Sequence, residues 1–349
     1  MYLDRLKNLK SYKTETTPCK IKLSSNENPF DLPDWLKEKI GEEVKKLHLQ
    51  RYPDPTSSEL KDIIADFYGV EPKNLVLGNG SDELIQLLTM VVGEISQPIT
   101  YPIPTFPMYQ VSADVVGRKK IEFPLNEEYQ LTKEKIDWAL NHNPILAFFA
   151  SPNNPTGNTL DRDLIKYVAQ NKVFTAVDEA YIDFSDKEDF VSEALKSENL
   201  VVLRTMSKIG LAGIRLGVLI ANENVAKELD KGRPPFNITS PTQAIGKVVL
   251  TEGREEIKKQ VQIIKNEREK MLNELNKIEG IKVYPSDANF ILVRVKDGDL
   301  IHQKLIKEGI LIRNMSHLPM MENCLRISIG KPEENKIFIE TFKKILKEG

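Results

Sequence analysis

The sequence predicts an α/β protein in which a large domain holds a mostly parallel β-sheet, covered by helices on both faces, beside a smaller α/β domain. Short, almost continuously apolar segments alternate with helical segments, which is typical of strands buried on both faces of a parallel sheet. The chain of 349 residues also exceeds one ordinary core. We therefore expect an N-terminal arm (residues 1–30) that joins the small domain, a large domain (31–245) and a small domain (246–349).

The elements of the arm and the large domain are predicted from apolar periodicity and from turn residues. A short strand ends near Leu23 and turns at an Asn- and Pro-rich segment. Helices are predicted at residues 36–49, 57–68, 84–92, 106–117, 132–141, 160–171 and 188–197. Buried strands are predicted at residues 74–77, 98–101, 119–123, 145–150, 173–178, 200–203 and 216–221.

A long helical segment leads from the large domain into the small one. Ser240 and Pro241 mark its start, and Gly253 is expected to interrupt it before it ends near residue 276. Strands at residues 281–284, 289–295, 310–313 and 324–329 and helices at 300–308 and 333–347 then predict the smaller α/β domain.

Composition and charge exclude several classes of function. With 49 basic and 51 acidic residues, the chain has no basic excess for binding nucleic acid. Cys19 and Cys324 have no partner pattern, and the four histidines have no ligand spacing, so we expect free thiols in a reducing compartment and no metal site. The charged N-terminus and the lack of a ~20-residue apolar run predict a cytoplasmic protein with no membrane partner.

Chemically versatile side chains follow three of the predicted parallel strands at the points where those strands end. Asn154 follows one strand, Asp178 and Tyr181 come at the end of the next, and Lys208 lies in a loop after a third. Since carboxyl ends of parallel strands meet at one edge of a sheet, we expect these side chains to lie together. A lysine held there suits an amine that must sometimes be neutral, as a nucleophile or a Schiff base.

This set suits the chemistry of pyridoxal 5′-phosphate. Lys208 provides the amine for the cofactor's aldehyde, and the Asp178 carboxylate favours a protonated ring nitrogen, which makes the ring an electron sink. Tyr181 and Asn154 can donate to the phenolic oxygen, and Phe106 can stack on the ring. Residues at the start of helix 84–92 and around the lysine loop are predicted to form the phosphate seat: Gly80, Ser81, Asp82, Thr205, Ser207 and Arg215.

Seven segments spread over nearly the whole chain carry a family pattern: residues 23–29 (LSSNENP), 51–53 (RYP), 80–83 (GSDE), 151–157 (SPNNPTG), 178–181 (DEAY), 204–217 and 324–327 (CLRI). In these segments the sequence resembles the fold-type-I, class II pyridoxal-phosphate-dependent aminotransferases, and within them the histidinol-phosphate aminotransferase family. The chain departs from that family twice. One residue fewer separates Lys208 from Arg215, and Phe106 stands where the family often has tyrosine.

The resemblance implies the fold-type-I transferase fold with pyridoxal phosphate in the large domain. It also implies transamination of L-histidinol phosphate with 2-oxoglutarate to imidazole-acetol phosphate and glutamate, a step of histidine biosynthesis. The resemblance assigns catalysis to Lys208, Asp178 and Tyr181. Lys208 is expected to act as general base once the substrate amine has displaced it from the cofactor.

The resemblance further implies where substrate and partner subunit contact the site. Arg313 and Arg326 are expected to hold the substrate anion, since a guanidinium suits phosphate or carboxylate. Tyr52 is expected to reach the cofactor phosphate of a neighbouring subunit, which implies a homodimer. The expected substrate pocket is completed by Tyr12, Asn26, Glu27 and Asn154.

Three functions stay open at this point. The first is the transamination of histidinol phosphate. The second is a neighbouring activity on the same scaffold, either an aromatic amino-acid aminotransferase or a decarboxylase of threonine phosphate. The third is a regulator that senses pyridoxal phosphate without turnover; it would need an appended DNA-binding domain, for which the sequence offers no basic segment.

Overall fold

The computed structural model describes residues 17–347 and contains two β-sheets. In chain order the strands are β1 (Ile21–Leu23), β2 (Leu75–Asn79), β3 (Ile99–Ile103), β4 (Lys120–Pro124), β5 (Leu146–Ala150), β6 (Phe174–Asp178), β7 (Leu200–Thr205), β8 (Leu216–Ile220), β9 (Lys282–Val283), β10 (Phe290–Arg294), β11 (Ile310–Asn314) and β12 (Cys324–Ser328). The larger sheet has the order β2-β8-β7-β6-β5-β3-β4, and the smaller one β1-β11-β12-β10-β9. The predicted α/β class with a large and a small sheet is confirmed.

The helices between these strands are mostly those predicted. They are α1 (Asp34–Lys45), α2 (Ser58–Tyr68), α3 (Ser81–Val91), α4 (Met108–Val116), α5 (Lys133–Leu140), α6 (Arg162–Gln170), α7 (Val191–Lys196), α8 (Glu223–Asp230), α9 (Ser240–Thr251), α10 (Arg254–Leu275), α11 (Gly298–Lys307) and α12 (Pro332–Lys347). The sequence analysis missed α8, and it correctly placed an interruption at Gly253 between α9 and α10. Within residues 17–347, no helix is long and apolar enough to cross a membrane.

The large sheet is mostly parallel, with one exception. Strands β3 to β7 pair in parallel with their neighbours, whereas β8 runs antiparallel to both β7 and β2. Alternate residues of the central strands enter different cores: Ala147 and Phe149 of β5 pack on one face, Phe148 and Ala150 on the other. Burial on both faces explains why these segments have no polar alternation.

The small domain contains elements from both ends of the described chain, strand β1 and helix α12. Strand β1 pairs in parallel with β11, with Ile21 opposite Ile310, and Phe338 and Phe342 of α12 pack into the same core. The division at residues 30 and 245 stays a prediction. Helix α9, in which residue 245 lies, packs against α1 and α2 of the large domain.

Candidate active site

The carboxyl edge of the large sheet collects the predicted residues. Gly80 follows β2, the segment 151–157 follows β5, Asp178 ends β6, and Thr205 ends β7. Arg215 reaches the same edge for a different reason: it precedes β8, and because β8 is antiparallel, its first residue lies where the other strands end. Arg215 therefore joins the site from the start of an antiparallel strand, whereas Asn154, Asp178 and Lys208 lie at the ends of parallel strands.

One cavity of about 210 Å³ lies at this edge and brings most of the predicted residues together. The predicted residues that line it are Glu27, Ser81, Asp82, Phe106, Asn154, Asp178, Tyr181, Thr205, Ser207, Lys208 and Arg215. Ser25, Ala150, Ala180 and Ala212, which were not predicted, complete the wall. The amine of Lys208 and the carboxylate of Asp178 thus face the same space.

Asp178 is the buried acid of the cavity, with only 3% of its surface exposed. Its Oδ2 accepts a hydrogen bond of 2.9 Å from the Tyr109 hydroxyl, and its Oδ1 accepts one of 3.2 Å from the Ala180 N–H. Burial raises the pKa of Asp178 to about 6, although both hydrogen bonds and the charge of Lys208 act in the opposite direction. A cationic partner in the cavity would therefore stabilise the charged form of this carboxylate.

Tyr109 is a site residue that the sequence analysis missed. It is fully buried in α4, where it stacks on Phe148 with 4.8 Å between ring centroids and meets Phe106 edge-on at 5.8 Å. In the sequence, a tyrosine on an apolar helix face has the same pattern as an ordinary core ring. Only its position opposite Asp178, which comes from a different element, gives it a second role.

Lys208 lies on a single turn of π-helix, Ser207–Leu211, directly after β7. Its Nζ lies 5.5 Å from the centroid of the Tyr181 ring. Gly210, with φ of +119°, allows the chain to turn next to Asn28, whose amide donates to the Ile209 carbonyl at 3.3 Å. The sequence predicted a loop here, whereas the structure shows a helical turn that Asn28 of the arm holds in place.

The start of α3 and the segment before β8 form a seat for an anion. Gly80 has φ of +78°, and a Cβ at this position would lie 2.4 Å from Arg215 Nη2. The Arg215 guanidinium lies 3.4 Å from the Ser207 hydroxyl and 3.1 Å from the Asp82 carboxylate. The Thr205 hydroxyl donates to Ser207 at 2.9 Å. The start of α3, two hydroxyls and one guanidinium thus converge, an arrangement that suits an anion.

The small sheet contributes Arg326, which does not line the cavity but contacts Asn154 on its wall. Arg326 on β12 donates through Nη1 to Asn154 Oδ1 and, at 2.8 Å, through Nη2 to the Ser24 carbonyl. Its guanidinium lies over the Phe290 ring at 5.3 Å. Because Asn154 accepts with its oxygen from Arg326, its NH₂ group is left to donate elsewhere.

Five of the predicted residues that the structure describes do not line the cavity, and Arg326 is one of them. Gly80 lies behind Arg215. Asn26 is buried against Tyr181. Arg313 on β11 stands directly opposite Arg326 in the antiparallel pair. Tyr52 is 81% exposed and stacks on Phe236 at 4.7 Å, away from the cavity of its own chain. Tyr12 lies outside the described residues.

A buried ion pair behind the cavity was also missed. Glu179, the residue after Asp178, pairs with Arg204 of β7 at 2.8 Å and accepts from the Phe190 N–H at 2.7 Å. Arg204 also pairs with Asp189 at 2.8 Å. Burial raises the pKa of Glu179 to about 7. The pair fixes the backbone that carries Asp178, since breaking a buried pair leaves an uncompensated charge.

The two sheets and the constellation at the carboxyl edge of the larger one define the fold-type-I class of pyridoxal-phosphate-dependent aminotransferases. Residues 18–342 match the family described as aminotransferase class I and II. The histidinol-phosphate aminotransferase of Aquifex aeolicus is 47% identical over 99% of this chain and 98% of its own length. That of Hydrogenobaculum sp. is 46% identical, with the same shares of 99% and 98%.

Solved structures agree with the sequence comparison. The crystal structure of histidinol-phosphate aminotransferase from Clostridium acetobutylicum has a TM-score of 0.85 at 27% identity, covering 94% of this chain and 100% of that one. The chain belongs to the class I and II aminotransferases and, within them, to the histidinol-phosphate aminotransferase family.

Proposed function

We propose that the protein transaminates L-histidinol phosphate with 2-oxoglutarate, giving imidazole-acetol phosphate and glutamate in histidine biosynthesis. The observation that carries the proposal is that Lys208 and Asp178 line one cavity beside an anion seat, in a chain 47% identical to a histidinol-phosphate aminotransferase. We further propose that it works in the cytoplasm as a homodimer with pyridoxal 5′-phosphate.

The residues of the cavity fit pyridoxal phosphate at each of its reactive parts. A buried carboxylate, Asp178, suits a protonated ring nitrogen, and the amine of Lys208 suits an aldehyde. Phe106 lines the cavity, where its ring can stack on the pyridine. The cradle of Gly80 and Arg215, which a Cβ would fill, suits the phosphate.

The chain's own residues divide the work of proton transfer and charge balance. When bound, pyridoxal phosphate supplies a ring that withdraws electrons from the substrate carbon that loses its proton. The amine of Lys208, in its neutral form, would serve as the base that removes this proton from the substrate carbon and would deliver the proton again as an acid. Asp178 would balance the positive charge of the ring nitrogen, and Tyr181 and Asn154 would donate hydrogen bonds to the phenolic oxygen.

The basic residues of the small sheet support a phosphorylated substrate. Arg313 and Arg326 are directly opposite on antiparallel strands, so both side chains leave the same face of the sheet. Two arginine side chains on one face of the sheet suit a doubly charged phosphate better than a single carboxylate. This pairing favours histidinol phosphate over phenylalanine or tyrosine.

The position of Tyr52 supports a homodimer with shared sites. Its ring is 81% exposed and stacks on Phe236 rather than entering the cavity of its own chain. An exposed aromatic pair of this kind is typical of a surface that a partner covers. We propose that Tyr52 reaches the cofactor phosphate of the second subunit.

A side-by-side assay tests the substrate. The purified protein is offered histidinol phosphate, phenylalanine, tyrosine and threonine phosphate, each with 2-oxoglutarate. We expect the highest kcat/KM for histidinol phosphate, and no turnover in Lys208→Ala. Arg326→Ala removes charged hydrogen bonds of ~1.5–3 kcal/mol each, so KM for histidinol phosphate should rise about tenfold or more.

Histidinol without its phosphate is the matched control, since its KM should respond far less to Arg326→Ala. Preferred turnover of phenylalanine or tyrosine would assign the chain to the aromatic aminotransferases instead. Release of carbon dioxide from threonine phosphate would assign it to the decarboxylases.

A further inference from the structure

We propose that Ser328 and Asn26 are positioning residues that fix the direction in which the Tyr181 hydroxyl donates its hydrogen, so that it donates into the cavity. Neither residue lines the cavity, and Ser328 was not among the predicted site residues. The proposal rests on the proposed function, because the role of that hydrogen depends on the cofactor that the cavity is proposed to bind.

The hydrogen-bond chain begins at a group whose direction cannot reverse. The backbone N–H of Asn26 donates to Ser328 Oγ at 2.9 Å. Ser328 therefore accepts there, and its own hydrogen is directed to Asn26 Oδ1 at 2.8 Å. Asn26 and Ser328 are only 1% and 4% exposed, so bulk water does not offer the serine hydrogen another acceptor.

The orientation of the Asn26 amide then decides the orientation of Tyr181. With Oδ1 accepting from Ser328, the NH₂ group of Asn26 faces the Tyr181 hydroxyl at 3.2 Å. An amide NH₂ can only donate, so the tyrosine oxygen accepts in this contact. Its own hydrogen must point away from Asn26, and Tyr181 lines the cavity beside Asn154 and Lys208.

The backbone conformation of Asn26 and one further contact hold this residue in place. Its backbone has φ of +54°, a left-handed conformation that asparagine tolerates better than most residues. The Asn289 side chain donates to its carbonyl at 3.0 Å. The arm residue is thus clamped between the small sheet and the large-domain tyrosine, and the Tyr181 ring is in turn held edge-on against Phe290 at 5.1 Å.

The consequence of this polarity concerns the phenolic oxygen of the cofactor, which carries negative charge. A hydroxyl that donates to an anionic oxygen stabilises it, whereas one that offers a lone pair repels it. With the amide of Asn26 reversed, Tyr181 would donate to Asn26 and present its lone pairs to the cavity. The serine on β12 therefore selects the favourable arrangement.

The test uses the visible absorption of the bound cofactor, titrated with pH, together with cofactor affinity. Ser328→Ala removes the lock on the Asn26 amide without changing charge. Losing the donor leaves more negative charge beside the Lys208 linkage and favours its protonated form. We expect the midpoint of the absorption change to rise by about one pH unit, and cofactor affinity to fall about tenfold.

Two further variants guard against a purely structural effect. Ser328→Thr keeps the hydroxyl and should keep the wild-type midpoint. Asn26→Asp replaces the NH₂ donor by an oxygen that only accepts, so Tyr181 turns its hydrogen toward the introduced carboxylate and the midpoint should rise again. This variant also covers the case in which Ser328→Ala does not fold.

The same substitutions in the Tyr181→Phe background decide the outcome. If Ser328 acts through Tyr181, Ser328→Ala causes no further shift there, and the shift of Asn26→Asp is smaller than in the wild-type background. Equal shifts of the midpoint in both backgrounds would overturn this proposal but not the cofactor assignment. So would single variants whose midpoint does not shift, when the wild-type protein shows a normal cofactor band. A wild-type protein that shows no cofactor band would overturn the cofactor assignment together with it.

Discussion

At the scale of single residues, the site is built from groups whose neighbours set their charge. Asp178 is buried, which disfavours its charge, yet Tyr109, the Ala180 N–H and Lys208 all favour the ionised form. The opposing effects leave its pKa at about 6 in the protein without cofactor. A cationic ring bound in the cavity, as proposed, would give Asp178 a partner for its charge.

This balance predicts a pH dependence of stability in the cofactor-free protein. The pKa of Asp178 is raised from 3.8 to about 6, so between these values the unfolded state releases a proton that the folded state keeps. The contribution of Asp178 is fully present below pH about 4 and is lost as pH rises through about 6, an effect of about 3 kcal/mol. Asp178→Asn removes it.

Urea unfolding of both cofactor-free proteins at a series of pH values from 4 to 7.5 checks this prediction. The free energy of unfolding should fall less with rising pH in Asp178→Asn than in the wild type. Glu179, whose pKa burial also raises, is present in both proteins and cancels in the comparison. Parallel curves would show that Asp178 titrates at its ordinary value.

Residues with a chemical role were easier to predict than the residues that position them. Lys208, Asp178 and Asn154 follow strands of an alternating pattern, so the topology alone brings them to one edge. Tyr109 and Ser328 lie on an apolar helix face and in a buried strand, where their types have no special pattern. Their roles depend on which residue of another element lies opposite, and a single sequence does not contain that distance.

At the scale of elements, the anion seat depends on the close approach of α3 and β8. A Cβ on Gly217 would lie 2.4 Å from the Gly80 carbonyl carbon, so the two glycines let the backbones touch. The sequence could not predict the direction of β8, since a strand buried on both faces has the same pattern either way. Helix α8 was missed because only Ala226 and Leu229 of its eight residues are buried.

Gly80→Ala is predicted to weaken binding of the cofactor's phosphate. The new Cβ would lie 2.4 Å from Arg215 Nη2, so the guanidinium must leave its place beside the seat. We expect affinity for pyridoxal phosphate to fall about tenfold or more, as for loss of one charged hydrogen bond of ~1.5–3 kcal/mol. Affinity for pyridoxal, which lacks the phosphate, should change little.

Gly69→Ala is the matched control for this substitution. Gly69 has φ of +68°, and nothing lies within 4 Å of its Cβ position, so it reports the cost of a left-handed alanine alone. We expect a loss of stability of about 1–2 kcal/mol with unchanged cofactor affinity. A Gly80→Ala protein that binds cofactor like Gly69→Ala would exclude the seat.

At the scale of the whole molecule, the proposed sharing of sites between subunits predicts complementation. Tyr52→Ala should weaken cofactor binding although the exposed ring lies away from its own cavity. Tyr52→Ala and Lys208→Ala chains should each be nearly inactive. When they are unfolded together and refolded, mixed dimers carry one site with both native residues, so about one quarter of wild-type activity should return.

Activity of the refolded mixture at several ratios of the two chains checks this prediction. Refolding Tyr52→Ala with an Asp178→Ala chain is a second pairing that should also recover activity. Mixing Lys208→Ala with Asp178→Ala chains is the control. Each chain then has one substituted residue in its own cavity. In their mixed dimers no site is intact, and recovery there would contradict the assignment.

The pairing of β1 with β11 has a consequence for synthesis of the chain. Ile21 is synthesised early, and its strand β1 cannot pair with β11 until Ile310 has been synthesised. Every strand of the large sheet emerges in between, so that sheet can fold during translation while the arm is still unattached. Strand β1 has only three residues and a lysine at its centre, so it exposes little unpaired strand edge to aggregation before it pairs with β11. Closing of the arm, which also brings Asn26 to Tyr181, is a late event in the maturation of each molecule.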